Sequence, residues 1–344
     1  FKVETQNAYQ AKFDVPQLEW PLPFNHAPYE LFLFLSLAHL SYPVAHAIWS
    51  GVTLIFLVII LQILLPYTQS QHRVFIGAAV LAWFPTMETL RLGQDSIMST
   101  LLLLAVFVNL KRQRDGWAGF FLALGLYKPQ LVMPMAGTFL VARRWNLLAV
   151  FSITGATLVG VSLALVGWQG VIDFVSILRS MENYSYIIFP ANMPNIRGLA
   201  YLLFHGGSLE RISAPMTLII SIGLYALCLY SWRGKFDALD PGFDLKFSLV
   251  VVTTVLIGYH LYSHDLFPLT LSFILFFRGI NSGVITDGAL IKAFFILLII
   301  FFLPVVPRYL IQIHLLGWGA LANLILYIIL SLAIFYNKPL QPID

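Results

Sequence analysis

The chain has 344 residues, of which 59% are hydrophobic and only 10% charged, with a mean hydropathy of +0.83. A soluble domain carries about 25% charged residues, so the composition excludes a water-soluble globular protein. The net charge of +4 comes without a basic run long enough to bind nucleic acid, and the single Cys228 excludes an intrachain disulfide or a cysteine metal cluster.

In chain order, residues 1–42 form a polar and aromatic segment with Pro16, Pro21, Pro23 and Pro28 and the carboxylates Glu4, Asp14, Glu19 and Glu30. Within it, Tyr29–Leu40 is apolar but too short to span and reads as an interfacial helix, with Trp20, Phe24 and Tyr29 suited to headgroup depth. Apolar runs then recur at roughly 43–65, 74–89, 96–110, 116–127, 129–142, 146–167, 212–231, 246–260, 264–278, 290–305 and 311–335. A full crossing takes about 20 apolar residues, so these predict an all-α, polytopic membrane helix bundle of about eleven crossings over 43–344, several of them short. Residues 168–211 are expected as a long outer loop. No internal repeat of the kind many transporters carry is visible. Because the chain opens on Phe1 and not on Met, a natural start upstream is expected.

Orientation follows from Lys and Arg. With residues 1–42 outside, the short cytoplasmic loops collect Arg73, Lys111, Arg112, Arg114, Arg143, Arg144, Arg233, Lys235, Lys246, Arg278, Lys292 and Lys338, as the positive-inside rule requires. The stretch 116–142 can be read as one tilted span with Lys128 at its middle or as a hairpin. Pro129 disfavours α geometry at Lys128, and the hairpin keeps the later basic loops inside. Two such short helices cannot each cross a core of about 30 Å, so the tip is expected partway into the membrane, lining a wet cavity or packed in protein.

The outer face then collects Arg91, Gln94, Asp95, Lys128, Asn195, Arg197, His260, His264, Asp265 and Arg308. Ionisable residues within apolar runs are costly and mark function. Arg91, Gln94, Lys128 and Arg197 suit a phosphate, although an Arg at a helix end also serves as a snorkelling anchor, the reading preferred for Arg308. His260 and His264 share a face if the helix continues. Histidine and Asp265 suit acid–base work or hydroxyl orientation, and Ser263 and Asp265 are also good helix caps. A third metal ligand is missing from the pattern, so no metal is expected. No nucleotide fingerprint or nucleophile elbow is present, so no cofactor is expected.

Pro23-Phe24-Asn25-His26-Ala27-Pro28, Ala45-His46-Ala47-Ile48-Trp49, Leu92-Gly93-Gln94-Asp95, Trp117-Ala118-Gly119 with Lys128-Pro129, and Tyr262-Ser263-His264-Asp265 together resemble glycosyltransferase family 87. These are GT-C transferases related to the polyprenol-phosphate-mannose-dependent α-mannosyltransferases. The resemblance spans roughly residues 20–280. It implies inverting transfer of a mannose-like hexose from a polyprenyl-phosphate donor to a lipid or glycan acceptor, on the outer face of the cell membrane. It also implies a general-base carboxylate in the first outer loop, expected here upstream of Phe1, with Asp14 and Glu19 as substitutes. On that basis Lys128, Arg91 and Arg197 hold the donor phosphate, and His264 and Asp265 align the acceptor. A transporter or flippase of a lipid or small anion would use the same cations in a cavity, and a non-catalytic membrane subunit would use the polar residues only as caps.

Overall fold

The computed structural model describes residue 8 and residues 24–180, 189–234, 236–302 and 316–336. Among them the chain is helical, with no strand. The helices are α1 (Tyr42–Leu64), α2 (Arg73–Ala82), α3 (Phe84–Leu92), α4 (Ser96–Lys111), α5 (Asp115–Leu124), α6 (Pro129–Val141), α7 (Trp145–Ser180), α8 (Ile196–Phe204), α9 (Ser213–Ser231), α10 (Phe243–Ile257), α11 (Leu269–Asn281), α12 (Gly288–Phe302) and α13 (Gly319–Tyr336). Four helical stretches are long and apolar enough to cross a membrane, Tyr42–Tyr67, Trp145–Arg179, Glu210–Ser231 and Leu316–Tyr336. The pair α3 and α4 adds a fifth if it is counted as one span, bent by 119°. The other apolar helices are shorter, as the uneven lengths of the apolar runs predict. The carboxylates Glu4, Asp14 and Glu19 and the anchor Arg308 lie outside the described residues.

The chain divides into two compact units, Phe1–Ala45 with Ser152–Phe189, and His46–Phe151 with Pro190–Asp344. In the first, the expected interfacial helix is two short pieces, a 3-10 turn Pro28–Glu30 and one helical turn Leu31–Phe34, with Phe32, Leu33 and Leu35 exposed. The Tyr29 amide donates to Ser162 Oγ at 3.2 Å, and His26 Nδ1 lies 2.7 Å from the buried Glu30. Residues 168–180, inside the predicted outer loop, are helical. They continue α7 past Gly167, whose φ of 67° and ψ of 177° only glycine adopts without strain.

In the second unit, α10 is the centre. From Phe243 to Leu256 every residue but Lys246 is buried, and α6, α9, α11 and α13 pack around it. A helix apolar on every face belongs in such a position. Its hydroxyls are satisfied within the backbone, Ser248 donating to the Asp244 carbonyl and Thr253 to that of Leu249. The run 74–89 breaks at Trp83 because Pro85 cannot sit inside a continuous helix. The freed Trp83 indole donates to the Phe301 carbonyl at 2.9 Å and stacks on Phe302.

The stretch 116–142 is a hairpin. Arg144, just beyond α6, pairs with Asp115 at the start of α5, so the chain returns to the end it left. Between them a 3-10 turn Gly125–Tyr127 leads into Lys128 at φ −117° and ψ 72°, and Pro129 opens α6. With 10 and 13 residues, the two helices reach only about 15 and 20 Å, short of a full crossing. The basic loops meet at the end of the unit where this hairpin opens. There Asp244 holds Lys111 Nζ at 2.5 Å and Arg278 Nη1 at 2.6 Å, and Arg144 stacks on Phe236. The tips at Asp95, Lys128, Asn195 and Asp265 gather at the opposite end.

Candidate active site

Four turns build the polar end of the second unit. Gly93 ends α3 in the left-handed region, at φ 64° and ψ 28°, and turns the chain sharply into α4. Trp49 Nε1 fixes that turn by donating to the Gly93 carbonyl at 2.9 Å. The next helix begins after Asp95, a residue that ordinarily caps a helix with its side chain. Here the side chain makes no cap bond and faces Lys128, whose Nζ lies 2.5 Å from Asp95 Oδ1.

Lys128 Nζ also lies 2.6 Å from Asp265 Oδ1 and 3.1 Å from Ser96 Oγ. Ser96 in turn donates to Asp265 Oδ1 at 2.9 Å. The second oxygen of Asp265 accepts the Tyr262 amide at 3.2 Å and lies 3.4 Å from His264 Nε2. Lys128, Asp95 and Asp265 are 7%, 3% and 5% exposed. One ammonium between two carboxylates leaves the cluster one negative charge in excess. His264 Nδ1 is buried and has no hydrogen-bond partner among the described residues.

Lys128, His264 and Asp265 stand in turns outside the candidate spans. Burial opposes the charge of Lys128, but Asp265 and Asp95 outweigh it and hold the ammonium above the ordinary lysine range. Burial also opposes ionisation of Asp265, but Lys128 and then His264 hold its carboxyl below the usual carboxylate range. For His264, burial dominates and keeps the imidazole below its ordinary value, so it is neutral at neutral pH. The arrangement therefore offers a neutral imidazole, its buried Nδ1 without a partner among the described residues, beside the ionised Lys128–Asp265 pair.

The predicted residues separate into three places. Asp95, Lys128, His264 and Asp265 come together. Asn195, Arg197 and His260 form a second group next to them in the chain. Arg197 Nη1 lies 3.3 Å from the Tyr259 carbonyl and 3.3 Å from His260 Nδ1, and its guanidinium covers the Tyr259 ring at 3.9 Å. Buried Asn195 ties this group down, donating to the Gly258 carbonyl at 2.5 Å while its Oδ1 accepts the Gly198 amide at 2.9 Å. Arg91 stands apart. It is exposed and makes two bonds to Glu88, at 2.9 and 3.0 Å. Gln94 is half-buried in the turn before Asp95.

His260 and His264 do not share a helix face. The helix α10 ends at Ile257, Gly258 turns the chain, and a separate 3-10 turn spans Ser263–Leu266. That turn is capped from Asp265 through the Tyr262 amide. Sequence reasoning missed Ser96, Trp49 and the pairing of Lys128 with Asp95 and Asp265. The pairing had a signal: a buried lysine needs a counter-charge, and both carboxylates lie in tips assigned to the same face.

The profile of glycosyltransferase family 87 matches residues 24–258, so the Tyr262–Asp265 motif lies just beyond the match. A polyprenol-phosphate-mannose-dependent alpha-(1-2)-phosphatidylinositol pentamannoside mannosyltransferase of Mycolicibacterium smegmatis is 30% identical over 230 residues, 64% of this chain and 53% of that protein. The chain thus spans about half the length of that relative. No solved structure matches it. Since the family profile covers most of the sequence, the chain belongs to glycosyltransferase family 87.

Proposed function

We propose that this protein is a membrane glycosyltransferase of the inverting type, moving a mannose-like hexose from a polyprenyl-phosphate donor to a lipid or glycan acceptor on the outer face of the cell membrane. Family membership and the relative's donor support the reaction class. The observation that carries the site is the convergence of Asp95, Lys128, His264 and Asp265 at the end opposite the basic loops. Positive loops face the cytoplasm, which supports an outer location for the cluster.

In this reading the acceptor hydroxyl attacks the anomeric carbon from the face opposite the phosphate. The bond from that carbon to the phosphate oxygen breaks, and the phosphate monoester leaves with both electrons. His264, neutral and with no partner at Nδ1 among the described residues, aligns the hydroxyl or accepts its proton, and Asp265 holds the imidazole. Lys128 keeps a fixed positive charge beside the leaving phosphate, with Arg197 as the second cation and Gln94 in the adjoining turn, while Arg91, paired with Glu88, takes no part. Fixed charges in a dry site stabilise a departing anion at little reorganisation cost. The reaction so written uses no cofactor and no divalent ion.

The test is transfer by the full-length protein in proteoliposomes supplied with labelled polyprenyl-phosphate mannose and a glycolipid acceptor. Label on a new product that disappears with Lys128→Ala and His264→Ala supports the reading. Undiminished turnover in both variants overturns the site, and label that crosses the bilayer unchanged replaces the transferase with a transporter.

A further inference from the structure

At the end of the second unit opposite the ion cluster, two turns of the same form stand side by side. In one, α4 ends and Gln113 takes φ 56° before α5; in the other, α6 ends and Arg143 takes φ 55° before α7. The residue after each closes back on its helix. Arg114 donates its amide to the Asn109 carbonyl at 2.8 Å, and Arg144 to that of Phe139 at 3.0 Å. Helix ends of this form usually take glycine, because a Cβ is costly in the left-handed region. Here the two positions hold long polar side chains, and both are exposed.

The turns are locked together. Arg144 pairs with Asp115 across them, and its guanidinium covers the Phe236 ring at 4.4 Å. Behind that pair, Gly119 of α5 lies so close to the Leu147 carbonyl of α7 that no Cβ would fit. Arg114 and Arg143 each stand one residue ahead of a member of the pair, with Arg112 in the same turn as Arg114. All three are exposed, and none pairs with a carboxylate among the described residues. Asp115 is the sole acid of the segments 112–115 and 142–145, and Arg144 neutralises it.

Apolar groups adjoin these cations. Trp117 near the start of α5, Trp145 at the start of α7 and Leu140 in the last turn of α6 are all more than half exposed. Behind Trp117 the rings of Phe120 and Phe121 follow at 5.6 and 6.1 Å. Trp145 opens the candidate span Trp145–Arg179, so the patch stands where that helix passes from water into lipid. Tryptophan favours headgroup depth, guanidinium forks bind phosphate, and the cytoplasmic leaflet carries anionic lipids. An acidic protein docking from the water side would engage the cations and leave Trp117, Trp145 and Leu140 uncovered.

We propose that these two turns bind an acidic phospholipid of the cytoplasmic leaflet, its headgroup phosphate between Arg114 and Arg143 and its acyl chains over Trp117 and Leu140. The site lies at the end away from Lys128 and does not depend on the transferase reading.

The test takes full-length protein from vesicles of equal parts phosphatidylglycerol and phosphatidylcholine into mild detergent and counts the lipid retained per chain by native mass spectrometry. Phosphatidylglycerol should be retained in preference to phosphatidylcholine, and less of it at high salt. The double variant Arg114→Gln with Arg143→Gln should reduce retention at least fivefold. Arg143→Gly removes a guanidinium while relaxing its turn, so retention should fall at least threefold while the thermal midpoint holds or rises. Gln113→Gly relaxes the other turn, keeps every cation and should leave retention unchanged. Equal retention of the two lipids, or undiminished retention in the double variant, overturns the proposal. So does a parent chain that retains no lipid yet binds a polyglutamate peptide, which would make the patch a protein-docking surface. Because retention needs no turnover, failure of the transferase reading leaves this result unchanged.

Discussion

Replacing Lys128 with Met removes the ammonium that lies between two buried carboxylates at 2.5 and 2.6 Å. At an effective dielectric of about 20, each contact is worth on the order of 6 kcal/mol before desolvation. The net cost of breaking a buried pair from one side is about 3–5 kcal/mol, because the partner stays buried and uncompensated. Asp265 shows the sign. Lys128 holds its carboxyl below the ordinary range, so its contribution to stability is full above the unfolded pKa of about 4 and fades as pH falls below that. Without Lys128, burial raises the Asp265 carboxyl pKa, and the variant recovers stability as acidification protonates Asp265. Reversible unfolding in mixed micelles from pH 8 to pH 5 measures this directly. The loss at pH 8 should be about 3 kcal/mol or more and smaller at pH 5. Adding Asp265→Asn to Lys128→Met should restore about 1–3 kcal/mol. A variant as stable as the parent at pH 8, with the two changes additive within about 0.5 kcal/mol, would refute the triad as an energetic unit.

The other predictions concern supports of the site and of the opposite end. Asn195→Ala loses both the α8 cap and the bond to the Gly258 carbonyl. It should cost about 1–3 kcal/mol by the same unfolding assay and weaken donor binding through Arg197. Trp49→Phe removes the bond to the Gly93 carbonyl, so transfer should fall more than the loss of about 1 kcal/mol in stability suggests; equal activity in both proteins would show that the turn holds without it. At the opposite end, Asp244→Asn strands Lys111 and Arg278 and should destabilise by about 2–4 kcal/mol, well beyond Arg278→Gln. Gly119→Ala would place a methyl 2.2 Å from the Leu147 carbonyl, and the required backbone shift should cost about 1–3 kcal/mol or more.

Much of the site was legible in the sequence because charge is expensive in an apolar chain. Asp95, Lys128 and Asp265 are conspicuous for that reason, and all three lie in one cluster. The hairpin at 116–142 was legible too, since Pro129 forbids a smooth helix at Lys128 and the basic loops fix the side to which the chain returns. Arg91 shows the limit of this reasoning. At a helix end it suited a phosphate or a snorkelling anchor alike, and it lies on an exposed face within reach of Glu88, a pairing that depends on which side of α3 turns inward. The two histidines show another limit, because a four-residue spacing has meaning only while the helix continues, and Gly258 ends it.

Composition and the lengths of the apolar runs by themselves determined an all-helical membrane protein, since no other structure satisfies its backbone in lipid without closing a barrel. The order of charged tips determined which of them share an end. Tertiary structure decided what those charges do. Only packing of the α4, α6 and α11 entrances around the central α10 brings one lysine between two aspartates. Only the facing of α8 and α9 opens a cavity beside Arg197. Charge pairing and cavity shape depend on distances of a few ångströms between residues tens of positions apart, or 137 for Lys128 and Asp265, and hydropathy along the chain carries no record of them.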